Sequence, residues 1–186
     1  MKRFMYCGYT DSKITLKDHP QVITRSVAYF NDMAFLYFES PEDIAPELVA
    51  DGDMKSFPDG SKWFRLSEIF HYFSCDDDTT WQRKEKDKKP TFFINRLNRD
   101  KIASYIYYHY IHQEGNPVNC DRFMSIHNYQ DMIIMYCEFP CELVTWADIE
   151  GKPHIPASPD WDDLMDKHFA PWENGAKEWR PLKQTK

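Results

Sequence analysis

Apolar runs and helically spaced apolar positions divide the second half of the chain into short strands and two helices. Residues 91–97 and 132–139 are apolar runs, which predict buried strands. Asn98 is suited to cap the N-terminus of a helix that follows the first of these runs, and Gly115 is suited to end it. One face of this helix carries Ile102, Tyr105, Ile106, His109 and Gln113.

This half continues with a strand over 122–127 and then a second helix. Ser158, Pro159 and Asp160 predict the start of that helix, because they supply an N-cap hydroxyl, a proline in the first turn and an acid near the positive end of the helix dipole. A last strand is predicted over 178–183. The buried stripe of the second helix is predicted to be Trp161, Leu164, Met165 and Phe169.

The first half follows the same order with a shorter first connection. Strands are predicted over 3–9 and 22–29, and the short segment between them contains Pro20, so the first helix is expected to be short or absent. The charged run 82–89 predicts a solvated linker between the two halves. A second helix is predicted from the spacing of Trp63, Leu66, Phe70 and Phe73.

The two halves also share residues at a constant spacing. Residues 32–41 and 131–140 have Asp, Met, Tyr, Glu and Pro in common at an offset of 99. Because tryptophan is rare, two tryptophan pairs in register predict an internal duplication. Three pairs recur at an offset of 98: Pro58 with Pro156, Trp63 with Trp161, and Trp81 with Trp179.

These patterns predict an α+β fold made of two tandem ferredoxin-like (βαββαβ) repeats, a degenerate one over 1–88 and a second over 89–186. Such a unit places both helices on one face of its sheet and leaves the other face apolar. We therefore expect the two repeats to pack sheet to sheet as an intrachain pseudo-dimeric α+β barrel. A monomer with this internal pseudo-dimer and a homodimer both remain open.

Composition narrows the class of function. The chain is 42% hydrophobic and 16% aromatic, which is ample for a packed core, and its net charge of −7 with no basic stripe argues against nucleic-acid binding. No apolar run approaches the length of a membrane span, so no membrane association is expected. Residues 1–10 have no signal-peptide apolar stretch. Five cysteines in such a chain predict reduced thiols in a cytoplasmic protein.

The second repeat resembles the L-rhamnose mutarotase family over roughly residues 90–183. Tyr105 and His109 have the spacing and helix position of a Tyr and a His of that family. Tyr136 and Glu138 match its Tyr-x-Glu strand ending. At the second helix, where the family has Arg-Trp-Trp followed by Met, this chain keeps Trp161 and the Met.

Two positions at that helix depart from the family pattern. Asp160 replaces the Arg, and Asp162 replaces the second Trp. The first repeat has Trp63 and the same strand pattern, but it lacks a Tyr and a His at helical spacing. The resemblance therefore implies a fold of the dimeric α+β barrel type, with any site in the second repeat.

The resemblance also implies an activity, namely the interconversion of sugar anomers without a metal or organic cofactor. This reaction needs a base for the anomeric hydroxyl and an acid for the ring oxygen, and a histidine can serve near neutral pH. His109 is expected to transfer the proton, with Tyr105 one helical turn away as its partner. The ligand is expected to be a monosaccharide, bound by Trp161, Glu138, Tyr136 and Asp160.

Other interpretations remain open for the same residues. Tyr and His on an apolar helix face are often packed core residues. His109 and His112 could hold a metal together with His127 or Cys120, although we expect no metal. The barrel could also be a non-catalytic binding module whose cavity holds a small ligand or is filled by aromatic side chains, or a monooxygenase-like enzyme using haem or an activated organic substrate.

Overall fold

A computed structural model of the chain describes residues 1–72 and 82–184. This part forms two compact units: the first contains residues 1–67, 82 and 182–184, and the second contains residues 68–72 and 83–181. Both are built mainly from antiparallel strands with few helices, so the predicted α+β class is confirmed. Phe73 and Trp81, which entered the helix and repeat predictions, lie outside the described residues.

The first unit is a four-stranded antiparallel sheet with little helix. Its main sheet has the order β3-β4-β1-β6, and β2 pairs separately with β5. No helix occurs in the connection between β1 and β3, all of which is described. The elements are β1 (Lys2–Tyr9), β2 (Thr15–Leu16), β3 (Thr24–Phe30), β4 (Met33–Ser40), α1 (Pro46–Val49), β5 (Ala50–Asp51) and β6 (Phe64–Arg65).

The second unit is a five-stranded sheet with two helices. Its strand order is β11-β8-β10-β9-β7. Short 3₁₀ turns precede the first of these helices (Arg99–Lys101) and follow β10 (Trp146–Ile149). The elements are β7 (Ser67–His71), β8 (Lys89–Arg96), α2 (Ile102–Glu114), β9 (Ser125–Tyr129), β10 (Met132–Phe139), α3 (Trp161–Asp166) and β11 (Arg180–Pro181).

The helix predicted from the spacing of Trp63, Leu66 and Phe70 is wrong. This segment forms β6 and β7 instead, with β6 at the edge of the first sheet and β7 at the edge of the second. Trp63 and Leu66 are buried, and so is Phe70, so the apolar positions were identified correctly but their periodicity was misread. In such short strands, pairing with a neighbouring strand decides the conformation over local spacing.

The central hairpins of the two units match residue for residue at the offset of 99. Phe30 pairs with Met33 across the first turn, and Tyr129 pairs with Met132 across the second. The turn residue Asn31 has φ 54°, and Gln130, 99 positions later, has φ 56°. Both hairpins therefore turn through a left-handed residue at the same place, which is unusual for a side chain other than Gly.

The helix ends differ from the sequence predictions in detail. Asn98 lies at the predicted N-terminus, but its side-chain amide donates to the Phe169 carbonyl oxygen at 3.2 Å and caps no helix. The second helix begins at Trp161, so Ser158 is not its N-cap. Gly115 does follow the last residue of α2. With φ outside the left-handed region, its role is to admit the Ile155 carbonyl oxygen, which would lie 2.7 Å from an added Cβ.

Six of the eight residues of the charged segment 82–89 are exposed, as expected of a solvated run, but Arg83 and Lys88 are not. The Arg83 side chain is only 15% exposed and pairs with Glu138, and the Lys88 side chain is only 4% exposed and lies 3.4 Å from Glu142. Both cations also lie over the Phe123 ring. The buried carboxylates of Glu138, on β10, and Glu142, just after it, require these partners, since an unpaired buried charge is strongly destabilising.

Each unit has its own apolar core. Trp63 belongs to that of the first unit, with Phe4, Leu36 and Phe38. The core of the second unit joins the helices to one sheet face and includes Leu97, Tyr105, Ile126, Ile133 and Met165. No helix in the part of the chain that the structure describes is long and apolar enough to cross a membrane.

Candidate functional site

A cavity of about 550 Å³ lies in the second unit, where α2 and α3 cover one face of the sheet. Its floor is formed by side chains of β9 and β10, including Ile126 and Met135. Among the described residues, sixteen line the cavity, and six of these are aromatic. The aromatic lining residues are Phe70, Tyr72, Tyr105, Trp161, Phe169 and Trp179.

Tyr105 and His109, the predicted catalytic pair, both line this cavity. They lie one turn apart on α2, so their rings are in contact, tilted by 33° with centroids 4.1 Å apart. The His109 Nδ1 atom lies 3.0 Å from the Tyr105 carbonyl oxygen. Because a carbonyl oxygen can only accept, Nδ1 carries the proton, and the lone pair of the neutral ring is on Nε2.

Both residues have a polar atom with no hydrogen-bond partner among the described residues: Nε2 of His109 and the hydroxyl of Tyr105. Both side chains are nevertheless buried, and Tyr105 is only 1% exposed. Buried polar groups normally find a partner inside the protein. These two are thus available to a molecule that enters the cavity.

Burial sets the protonation of this pair. Loss of hydration lowers the pKa of His109 to about 4, against a smaller opposing effect of its bond to the Tyr105 carbonyl. The same cause raises the pKa of Tyr105 well above its ordinary value. Near neutral pH the cavity therefore presents a neutral imidazole that can accept a proton and a phenol that can donate one.

Trp161 and His112 complete the wall beside this pair. The Trp161 ring centroid lies 5.2 Å from that of His109 and 4.8 Å from that of His112. Burial lowers the pKa of His112 as well, and its Nδ1 is buried without a partner in this part of the molecule. A smaller apolar cavity of about 190 Å³ lies on the outer side of both residues and is also lined by Ile155 and Leu164.

Carboxylates dominate the polar part of the cavity lining. Asp162, Asp163 and Asp166 project from α3, and Lys177 is the one lysine or arginine among the lining residues that the structure describes. The Lys177 ammonium is 3.0 Å from the carboxylate of Asp166. Asp162 and Asp163 have no cationic partner among residues 1–72 and 82–184.

Asp160, a predicted substrate-binding residue, does not line the cavity. Its side chain is exposed at the start of α3 and accepts a hydrogen bond from the Ser158 hydroxyl, which lowers the pKa of the Asp160 carboxyl. It forms no side-chain hydrogen bond to the helix N-terminus.

Tyr136 and Glu138, the other predicted sugar ligands, are not brought together with His109. Successive side chains of a strand point to opposite sheet faces, and it is Ile133 and Met135 that pack towards the helices. Tyr136 and Glu138 therefore point to the opposite face, where the Tyr136 ring meets Phe92 with centroids 5.2 Å apart.

Glu138 is fully occupied in that position. Its carboxylate accepts hydrogen bonds from the Tyr136 hydroxyl at 2.7 Å and from Arg83 at 2.6 and 2.9 Å. The first unit repeats the tyrosine contact, because the Tyr37 hydroxyl donates to Glu39 at 2.7 Å. Because this contact is present in both hairpins, we attribute it to stabilisation of the sheet and not to ligand binding.

Several cavity residues were not among the predicted site residues. Phe70 lies on β7 and Tyr72 directly follows it, in a segment that the sequence analysis predicted to be a helix. Asp163 and Asp166 are three positions apart on α3, and Asp162 and Asp166 are four apart, so this helical spacing of acidic residues was the available signal. His112 entered only as a possible metal ligand. No group of three His, Cys, Asp or Glu side chains within the described ranges could hold a metal ion.

Comparison of the chain with protein-family models, with curated proteins and with solved structures finds no match in any of the three.

Proposed function

We propose that this protein is a cofactor-free monosaccharide mutarotase whose site is the cavity of the second unit. The observation that carries the proposal is the pair of partnerless polar atoms in that cavity, Nε2 of His109 and the hydroxyl of Tyr105. One is a proton acceptor and the other a proton donor. Anomer interconversion needs one of each on the same sugar.

The proton transfers balance without any other reactant. Nε2 of His109 takes the proton of the anomeric hydroxyl while Tyr105 gives its proton to the ring oxygen. The bond from the anomeric carbon to the ring oxygen breaks, and an open-chain aldehyde forms. After rotation about the adjacent carbon–carbon bond, the ring oxygen attacks the other carbonyl face and both protons return.

The walls of the cavity suit a sugar. Aromatic faces such as those of Trp161 and Trp179 pack against the C–H face of a pyranose, and the Asp162 carboxylate accepts hydrogen bonds from hydroxyls. A volume of about 550 Å³ is within the range of small-molecule sites and holds a monosaccharide together with water.

The same proposal includes a duplicated fold. If β2, β5 and the edge strand β7 are left out and the four remaining strands of each unit are numbered in chain order, β6-β1-β4-β3 and β11-β8-β10-β9 both have the order 4-1-3-2. This shared order, together with hairpins that match at an offset of 99, supports two tandem ferredoxin-like repeats. In this proposal the chain contains its own pseudo-dimer, and a homodimer is not required.

A cytoplasmic location is also part of the proposal. Burial raises the pKa of Cys7 and of Cys137 to about 12, which keeps both as unreactive thiols. The four cysteines in the described ranges are unpaired: Cys7, Cys120, Cys137 and Cys141.

The test is exchange NMR of the anomeric protons of a panel of monosaccharides, with and without protein. We expect faster α/β exchange for at least one sugar, and loss of the acceleration in His109→Asn. His19→Asn, which changes a histidine outside the cavity, is the matched control and should keep full activity. A folded wild-type protein that accelerates no sugar, or a His109→Asn variant with full activity, would contradict the proposal.

A second candidate is a non-catalytic protein that binds a small molecule in the same cavity. It is favoured by the depression of the His109 pKa to about 4, because a general base is most effective with a pKa near the working pH. Adding the same panel of sugars to the protein, and following both anomer exchange and tryptophan fluorescence, separates the two candidates. Saturable quenching of tryptophan fluorescence by a sugar whose anomers do not exchange faster would support binding without catalysis.

A further inference from the structure

The charge of the cavity lining goes beyond what a neutral sugar requires. Three carboxylates and one ammonium line the cavity within the described residues, and the low pKa of His109 leaves that ring uncharged near neutral pH. The lining therefore carries a net negative charge. A neutral sugar uses these carboxylates only as hydrogen-bond acceptors, an acidic sugar would be repelled by them, and a cationic ligand would also gain from their charge.

The arrangement of the carboxylates on α3 reinforces this point. Asp162 and Asp166 are one turn apart, and such like-charged neighbours on a helix face destabilise it slightly. Lys177 neutralises Asp166 alone, through contacts of 3.0 and 3.1 Å to its side chain and main chain. Asp162 and Asp163 are left as acceptors at the cavity wall with no cation among residues 1–72 and 82–184.

A second, independent observation supports a ligand site in the same cavity. The Tyr105 side chain is buried in the cavity wall, and its hydroxyl has no partner in the described part of the chain. The three α3 aspartates are themselves exposed to solvent, so it is the Tyr105 hydroxyl that points to a ligand. The carboxylates and the partnerless hydroxyl line one space, so one ligand can contact both.

The aromatic walls fit a cation as well as a sugar face. Trp161 and Trp179 line the cavity together with Asp162 and Asp163. Tryptophan faces attract ammonium groups, and carboxylates form charge-assisted hydrogen bonds with them. An amine on a pyranose would satisfy both features at once.

We propose that the ligand of this cavity is an amino sugar, a monosaccharide with a protonated amine that is held by Asp162 and Asp163 against the aromatic wall. This proposal rests on the mutarotase function proposed above for its sugar part. The ammonium recognition depends on α3, whereas the proton transfers depend on α2. The two can therefore fail separately.

The experiment compares three sugars of one configuration: the free 2-amino-2-deoxyhexose, its N-acetyl derivative and the parent hexose. Binding is measured by tryptophan fluorescence and anomer exchange by NMR, at about pH 6, where an aliphatic amine of this kind is protonated. We expect the amino sugar to bind about tenfold more tightly than both neutral analogues, as charge-assisted hydrogen bonds imply. Asp162→Asn with Asp163→Asn should abolish that preference.

Asp100→Asn is the matched control, since its carboxylate is 76% exposed on the turn before α2 and does not line the cavity. It should retain the preference for the amino sugar. Equal binding of all three sugars with accelerated exchange would overturn the amino-sugar proposal and leave the mutarotase standing. Selective binding of the amino sugar without accelerated exchange would support the ligand class and contradict the mutarotase. Absence of any binding would overturn both.

Discussion

The Arg83 guanidinium holds the buried Glu138 carboxylate through two hydrogen bonds, from Nη2 to Oε1 at 2.6 Å and from Nε to Oε2 at 2.9 Å. This pair joins the segment before β8 to the end of β10. It explains why the Arg83 side chain is largely buried within a mostly exposed charged segment, and why Glu138 is not available to a sugar.

We expect Arg83→Met to lower the free energy of unfolding by about 3–5 kcal/mol, because it leaves the Glu138 charge buried without its partner. Adding Glu138→Gln to the first change should recover much of that loss, since no buried charge remains. Urea denaturation of the two single variants and the double variant measures the coupling.

Arg99→Met is the matched control for this cycle. Its side chain is 85% exposed and lies 3.8 Å from Asp131, so its removal should change stability by less than about 1 kcal/mol. Equal effects of Arg83→Met and Arg99→Met would show that the buried pair does not stabilise the fold.

The central hairpins were the most predictable part of the fold. β10 was predicted with its observed bounds, because an apolar run of that length ending before proline has few alternatives. The segment with Trp63, Leu66 and Phe70 was misread because β6 has two residues and β7 has five. So few positions cannot distinguish a period of 2 from one of 3.6, and strand pairing decides.

The site was predictable where its geometry is local. Tyr105 and His109 meet because residues four apart on a helix are neighbours, whatever the tertiary fold. The sequence of β10 does not indicate on which sheet face Tyr136 and Glu138 lie, since apolar residues occupy both its odd-numbered and its even-numbered positions. The odd-numbered residues face the helices because Ile133 and Met135 pack against them.

The depressed pKa of His109 predicts how stability depends on pH. The unfolded chain gains a proton on this histidine as the pH falls below about 6.5, whereas the folded protein gains it only near its pKa of about 4. The free energy of unfolding should therefore fall between these two pH values, by as much as about 3 kcal/mol from this group. Denaturant melts across the interval measure it.

His109→Gln should flatten this pH dependence and leave the smaller part due to His112, whose pKa is shifted in the same direction. The comparison uses the slope of the free energy of unfolding against pH, because the substitution also changes packing and therefore the absolute stability. His19→Gln serves as the comparison and should keep the slope of the wild type. An unchanged slope in His109→Gln would mean that this imidazole is not held neutral by burial.

Gly115→Ala should destabilise the second unit by about 1–3 kcal/mol, because the new methyl group overpacks a filled site. The added Cβ would lie 2.7 Å from the Ile155 carbonyl oxygen and 3.1 Å from the Ile155 Cβ. The Ile155 main chain must then move, and the apolar cavity that this residue lines beside Trp161 should change shape. Thermal unfolding measures the loss.

Glu114→Ala is the neighbouring control for that change. Glu114 is exposed at the end of α2, and alanine keeps the main chain of the helix intact. It should leave the melting temperature nearly unchanged. If Gly115→Ala also left the melting temperature unchanged, the close approach of Ile155 would not constrain the residue at position 115.

Tyr105→Phe separates a catalytic hydroxyl from a structural one. The hydroxyl has no partner among the described residues, so its removal should leave stability unchanged or slightly higher, because no hydrogen bond within the protein is lost. If this hydroxyl is the acid of anomer exchange, the acceleration should fall by roughly 10²–10⁴. Denaturation and exchange NMR on one preparation provide both readouts. A stability loss of about 1 kcal/mol or more, with exchange unaffected, would make Tyr105 a core residue whose hydroxyl bond forms within the fold.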